Sequence, residues 1–294
     1  MTVRPVLLCF GYGYTARAFA RAFADQGAAV IGTRRTPDAA ASLAAEGVEG
    51  LIFARGQPLA GDAIRRATHV LVSIPPEEAG DPVLAEHAGE LARAAPRLRW
   101  VGYLSTTGVY GDRGGGWVDE SAEPRPAGTR GRRRVEAEAG WLALWREHGL
   151  PVHLFRLAGI YGPGRNAIEQ VRAGTARRIV KPGQVFSRIH VADIVQTLLA
   201  SIARPNPGAA YNLADDEPAP PQAMVEFACA LLGVQPPPEE PFASASMTEF
   251  ARSFYAESKR VRNDRIKREL GVRLLYPDFR AGLAALHVSD RAQS

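Results

Sequence analysis

Short apolar runs alternate with amphipathic stretches through the first half of the chain. The runs Val6–Phe10, Ala29–Gly32, Gly50–Phe53, His69–Ile74, Trp100–Ser105 and Val152–Leu157 are strand candidates. Such runs, separated by helical patterns, read as buried strands of a parallel sheet joined by crossover helices. Thr15 to Phe23 places Ala16, Phe19, Ala20 and Phe23 on one helical face. Thr36-Pro37 and Asp81-Pro82 each set a capping side chain before a proline at the first helical position. A longer helix is predicted from Thr129 to His148, with Val135, Leu142 and Trp145 at helical spacing. The pattern is that of an α/β protein with a doubly wound parallel sheet of the Rossmann type.

From about Tyr161 the texture changes. Pro/Gly-rich stretches at 203–208, 216–222 and 235–241 separate shorter helical pieces. Ser246-Met247-Thr248-Glu249 reads as a capping box opening one of them, and Asp193 as the N-cap of the apolar helical run that follows it. The expected organisation is a first domain over 1–160, to which 184–204 returns. A smaller lobe is expected over 161–183 and 205–294.

Composition narrows the classes. With 46% hydrophobic and 23% charged residues, the chain has the make-up of an ordinary globular protein. The run Val6 to Phe10 is far shorter than the ~20 residues of a membrane span, and glycines rather than a cleavage site follow it. Neither a membrane partner nor a signal peptide is expected. Cys9 and Cys229 lie in apolar segments without metal-like spacing, which predicts buried free thiols and a cytoplasmic setting. The formal charge of +5 comes almost wholly from arginine, the lysines being Lys181, Lys259 and Lys267 alone. It is spread along the chain without a nucleic-acid motif, so no nucleic-acid partner is expected. A small molecule is the expected partner.

The candidate chemistry starts at Gly11-Tyr12-Gly13-Tyr14-Thr15-Ala16, a G-x-G-x-x-A turn between a predicted strand and a predicted helix. Gly11 permits the tight turn, Gly13 lets backbone approach a pyrophosphate, and Ala16 allows close helix–strand packing. The second strand ends in Thr33-Arg34-Arg35. An NAD site usually has an acid there for the ribose 2′-hydroxyl. Two guanidinium groups suit a 2′-phosphate instead, so NADP is the expected cofactor.

Further on, Tyr103-Leu-Ser105-Thr106-Thr107-Gly-Val-Tyr110-Gly111 resembles the strand and loop that bear the catalytic serine or threonine of extended short-chain dehydrogenases/reductases. Five further segments resemble the same family's landmarks in order: Val118-Asp-Glu120, Phe155-Arg156-Leu-Ala-Gly159-Ile-Tyr161-Gly-Pro163-Gly-Arg165, Ile189-His190-Val-Ala-Asp193, Tyr211-Asn212-Leu and Ser258-Lys-Arg-Val-Arg-Asn263. The resemblance, to epimerases and dehydratases of nucleoside-diphosphate sugars, implies an NAD(P)-binding core with a C-terminal substrate lobe. It implies cofactor contacts from Tyr14, Thr15, Ser73, Ile74, Pro75, Thr106, Arg134, Gly159 and Ile160, besides the glycine turn and Thr33 to Arg35. In this family the long helix, here with Trp141 and Trp145, often builds a homodimer; the same tryptophans equally suit a core.

The chain departs from the family at the chemistry. Aligned on Glu138, Arg130 and Arg134 stand where the family has its catalytic Tyr-x-x-x-Lys pair. A guanidinium stays protonated at any working pH, so Arg130 cannot shuttle a proton. Four residues apart on a helix, the two arginines share a face and suit an anionic ligand, or else pair with Glu120 and Glu138. Thr106, Arg130 and Arg134 are the candidate catalytic residues, with Tyr110 and Tyr161 as substitute acids. Two functions remain open: an NADP-dependent oxidoreductase or epimerase/dehydratase, and an NADP(H)-binding sensor or scaffold without turnover.

Overall fold

The structure, a computed structural model, describes residues 4–293. Its centre is a seven-stranded parallel sheet of β1 (Val6–Phe10), β2 (Ala29–Arg34), β3 (Glu49–Ile52), β4 (His69–Val72), β5 (Trp100–Thr106), β7 (Val152–Leu157) and β11 (Ala210–Leu213). The spatial order is β11-β7-β5-β4-β1-β2-β3. Leu7 sits opposite Val30 of β2 on one side and His69 of β4 on the other. The winding reverses after β3, where the chain returns to lay β4 beside β1, and the C-terminal ends of β1 and β4 therefore flank the switch point where doubly wound sheets bind ligands.

The helices are α1 (Tyr14–Ala24), α2 (Pro37–Ala41), α3 (Ala63–Arg66), α4 (Pro82–Ala94), α5 (Thr129–His148), α6 (Ala167–Arg172), α7 (Val191–Ala203), α8 (Ala223–Leu232), α9 (Glu249–Phe254), α10 (Asp264–Leu270) and α11 (Phe279–Gln293). In α1 the predicted face is buried: Ala16, Phe19, Ala20 and Phe23. Both predicted Pro-started helices are capped as expected. Thr36 accepts from the Ala39 amide, and Asp81 from the amides of Val83 and Leu84. In α5 the buried core positions are Ala137, Trp141 and Leu144, while Leu142 and Trp145 pack against that core partly buried. Trp141 is fully buried and donates its indole N–H to Asp81 at 3.1 Å. It is thereby unavailable to a dimer interface, and Trp145 is half-buried beside Gly208.

The chain forms two compact units, 1–106 with 132–156 and 194–211, and 107–131 with 157–193 and 212–294. This differs from the boundary expected at 160, and the reason is hydrogen bonding. In the second unit β6 (Trp117–Val118) pairs with β13 (Arg260–Val261), and the Arg113 and Gly115 amides donate to the Ser258 carbonyl. Residues 107–131 are therefore tied to the C-terminal part. Residues 205–211, expected in the lobe, instead lead into the edge strand β11. The second unit also pairs β8 (Gly159–Tyr161) with β10 (Arg188–His190), and β9 (Arg178–Val180) with β12 (Glu239–Pro241).

Two capping expectations are corrected. Thr248, not Ser246, caps α9, its hydroxyl accepting from the Ala251 amide. Asp193 lies inside the first turn of α7, where the His190 ring accepts from the Ala192 amide. The Asp193 carboxylate is fully buried and accepts from the amides of Leu275 and Tyr276 at 2.7 and 3.1 Å. It ties down a distant loop.

Candidate functional site

The turn after β1 is built by its neighbours. Gly11 has φ +85°, and a Cβ there would lie 2.7 Å from Ile74 Cγ1. Only glycine adopts this conformation without strain. Its amide donates to Thr33 Oγ1 at 2.8 Å and the Tyr12 amide to the Thr33 carbonyl at 3.0 Å. Thr33, an expected cofactor contact, thus spends its polar atoms shaping the turn. Beyond it Gly13 is exposed, with nothing within 4 Å of where its Cβ would stand. Gly13 is the N-cap of α1, no side chain caps that end, and the first turn holds no acid. The positive dipole end of α1 therefore suits an anion. Tyr14 is half-buried, while Thr15 and Ala16 are buried under the turn.

The end of β2 carries the arginines. Arg34 is half-buried, its guanidinium 6.0 Å from the Tyr12 ring centroid, and its Nε is buried without a hydrogen-bond partner. Arg35 is exposed. The acid nearest in sequence, Asp38, is exposed in the first turn of α2. Tyr12 was not singled out in the sequence, yet its ring is 1% exposed and packs over Gly32. Its hydroxyl is raised above its usual pKa by burial first and by Glu46 second. An open cradle at Gly13, an uncapped helix end and an unspent guanidinium donor fit an NAD(P) pyrophosphate and adenosine ribose.

Past β4, the Ser73 amide donates to the Phe10 carbonyl at 2.9 Å, Ile74 closes over Gly11, and Pro75 is exposed. Thr106 ends β5, half-buried. Behind it lies a buried triad that sequence reasoning missed. Ser105 Oγ donates to Glu138 Oε1 at 2.5 Å, and Arg156 Nη2 reaches Glu138 Oε2 at 2.7 Å. Glu138 is thus engaged by Arg156, not by Arg130 or Arg134. Arg134 donates instead to the Leu104 carbonyl and stands 5.7 Å from the Tyr103 ring centroid. It acts as a tie between α5 and β5.

The remaining candidates lie in the second unit. Arg130 is exposed, its guanidinium 4.6 Å from the Phe250 ring centroid and 5.0 Å from that of Phe254. Those rings are themselves 60% and 46% exposed. The expected shared face of Arg130 and Arg134 therefore does not present two guanidinium groups together: one stacks on α9 and the other enters β5. Glu120 accepts from the Asn212 amide at 2.8 Å. Tyr110 is fully buried and donates to Asn212 Oδ1 at 2.7 Å. Tyr161 is buried too, and that burial raises its hydroxyl's pKa. A proton held this tightly makes a poor general acid near neutrality. Gly159 is exposed and Ile160 half-buried, in register with Arg188 and Ile189.

A glycine turn at the switch point of a doubly wound parallel sheet defines an NAD(P)-binding Rossmann protein. Comparison with known proteins narrows the class. Residues 83–214 match the NAD dependent epimerase/dehydratase family, and residues 7–93 match the family described as NADP oxidoreductase coenzyme F420-dependent. A functionally unknown conserved protein from Silicibacter pomeroyi DSS is 53% identical at TM-score 0.89, over 97% of this chain and 99% of that one. Protein YeeZ of Escherichia coli K12 is 27% identical, over 91% of this chain and 95% of its own. A UDP-glucuronic acid 4-epimerase from Bacillus cereus, solved with UDP-glucuronic acid and NAD, shares the fold at TM-score 0.77. It is 15% identical, over 98% of this chain and 100% of that one. The segment 83–214 thus resembles the epimerase/dehydratase family, and the structural neighbours lie in the extended short-chain dehydrogenase/reductase, epimerase/dehydratase class. None of its described helices is long and apolar enough to cross a membrane.

Proposed function

We propose that the protein binds NADP(H) and is an oxidoreductase or epimerase/dehydratase acting on a small anionic or nucleotide-sugar substrate. The observation that carries the cofactor half is the buried, unpartnered Nε of Arg34 at the end of β2, with no acid beside it. Gly13 and the positive end of α1 would hold the pyrophosphate, and Arg34 with Arg35 the 2′-phosphate. Bound there, the nicotinamide supplies a hydride acceptor or donor. Thr106 orients the substrate by its hydroxyl, Arg134 fixes the end of β5, and Arg130 attracts an anionic group while its pKa bars it from proton transfer.

Isothermal titration tests this reading: NADPH is expected to bind much more tightly than NADH. The double variant Arg34→Ala/Arg35→Ala is expected to lose about 1.5–3 kcal/mol of NADPH affinity, the worth of a charge-assisted contact. Equal affinity for the two cofactors, or an unchanged double variant, would reject the assignment.

A second reading, an NADP(H) sensor without turnover, is favoured by the arginines at 130 and 134, neither of which can serve as the family's proton donor. Oxidation of NADPH with a carbonyl or sugar-nucleotide substrate, lost in Thr106→Val, would reject the sensor. A cofactor-dependent change in shape or partner binding with no turnover would support it.

A further inference from the structure

In the second unit, residues 242–255 form a loop whose two ends meet. The Phe242 and Tyr255 rings stack with centroids 5.0 Å apart and planes at 20°. Each end is fastened. Before the loop β12 pairs with β9, and the Phe242 amide donates to the Val180 carbonyl at 2.9 Å. After it Lys181 donates to the Tyr255 carbonyl, and Gln184 Nε2 to the Glu257 carbonyl at 2.6 Å. Tyr255 is buried at this neck, its ring edge-on to Phe186 at 5.3 Å. A surface segment of this length, closed at a neck, is an Ω-loop, a form that functional segments often take.

Beyond the neck, little of the loop enters the core. Of residues 243–254 Ala245 alone is buried, and α9 buries none of its residues. A helix this short is marginal by itself in water. Part of its support is internal. Thr248 caps it, and Arg252 donates to the Ala245 carbonyl at 2.7 Å while standing 4.9 Å from the Phe242 ring centroid. From outside the loop, Arg177 donates to the Ser246 carbonyl.

Arg130 reaches α9 itself. Its guanidinium lies 4.6 Å from the Phe250 ring centroid and 5.0 Å from that of Phe254, and the two rings meet edge to face at 5.2 Å. Both ring quadrupoles attract the one cation. At an exposed site such contacts shift an equilibrium several-fold without locking it, which is the strength a reversible latch needs. Arg130 stands in the sequence where the short-chain dehydrogenases/reductases keep their tyrosine, so the loop is fastened at that position.

We propose that residues 243–254 form a lid, hinged at the Phe242–Tyr255 neck and latched closed by Arg130. Arg130 then has a role that needs no proton transfer: it sets how long the lid stays closed. The lid depends on neither the cofactor nor the substrate assignment, and its test needs no activity. Hydrogen–deuterium exchange of the full-length protein, read by mass spectrometry, follows peptides over α9, where the Arg252 and Tyr255 amides donate within the loop. Arg130→Ala is expected to speed their exchange roughly fivefold or more and to leave α10 unchanged. Arg130→Lys, which keeps a cation for the rings, is expected to recover part of the protection. The double variant Phe250→Leu/Phe254→Leu is expected to match Arg130→Ala, since both rings lie outside the core. Unchanged exchange over α9 in Arg130→Ala would overturn the proposal. So would a rise that extends equally over α10, which would make Arg130 a general prop of the unit, or a lysine variant no better protected than the alanine one.

Discussion

At the scale of single residues, Gly11 and Gly13 do different work two positions apart. Gly11 holds φ +85° against Ile74, so a side chain there strains the backbone and collides with its neighbour. Gly13 has φ −90° and open space at its Cβ. Gly11→Ala is expected to lower stability by about 1–3 kcal/mol in a urea titration. Gly13→Val is expected to leave the melting temperature near wild type and abolish NADPH binding, because its methyls occupy the space backbone needs near the pyrophosphate. A Gly13→Val protein that still bound NADPH at full affinity would move the phosphate turn elsewhere. Both glycines were legible in the sequence because their reasons are local: a strand, a turn and a helix within a dozen residues. The surroundings of Arg130 were not. Its rings, Phe250 and Phe254, lie far along the chain in a short exposed helix, and no periodicity connects them to α5.

At the scale of elements, Asp81 is more than a cap. It accepts from the Val83 amide at 2.8 Å and the Leu84 amide at 3.1 Å, and also from the buried Trp141 indole of α5. Asp81→Ala removes the cap, worth about 1 kcal/mol, and strands a buried N–H, which costs roughly 1–3 kcal/mol more. Thr36→Ala removes only an exposed 3.4 Å contact and is expected at or below the low end of the capping range. Urea titration of both variants checks the ordering, and equal losses would mean that the indole bond contributes nothing. Here too the legible part was local, for each cap stood next to its proline. The strands β6 and β13 were not legible. Each is two residues long, and their pairing of Trp117 with Arg260 spans far more chain than any local pattern covers. The same distance hid the association of 107–131 with the C-terminal part. β11 was passed over for a related reason, because the quoted Tyr211-Asn212-Leu segment is too short to show strand alternation.

At the scale of the whole molecule, buried titratable groups set how stability follows pH, and two sets pull in opposite directions. His69, His153 and His190 are buried, and desolvation lowers each from 6.5 to about 4. Between those values the unfolded chain takes up protons that the folded chain refuses, so their contribution is lost as pH falls from 6.5 towards 4. Asp215 acts in the reverse sense. Burial raises it from 3.8 to about 8, so between those values the folded chain keeps a proton that the unfolded chain has released. Stability from this group is complete below 3.8 and declines as pH rises towards 8. Asp215→Asn removes that term and leaves the histidines in place. Both proteins are therefore expected to lose melting temperature below pH 6.5. The advantage of the variant over wild type should grow steadily from pH 4 to 8, reach a few kcal/mol, and level off above. Thermal melts of the two proteins at matched pH values give the difference directly. A difference flat across that range would show Asp215 ionised in the folded state and paired with Arg188.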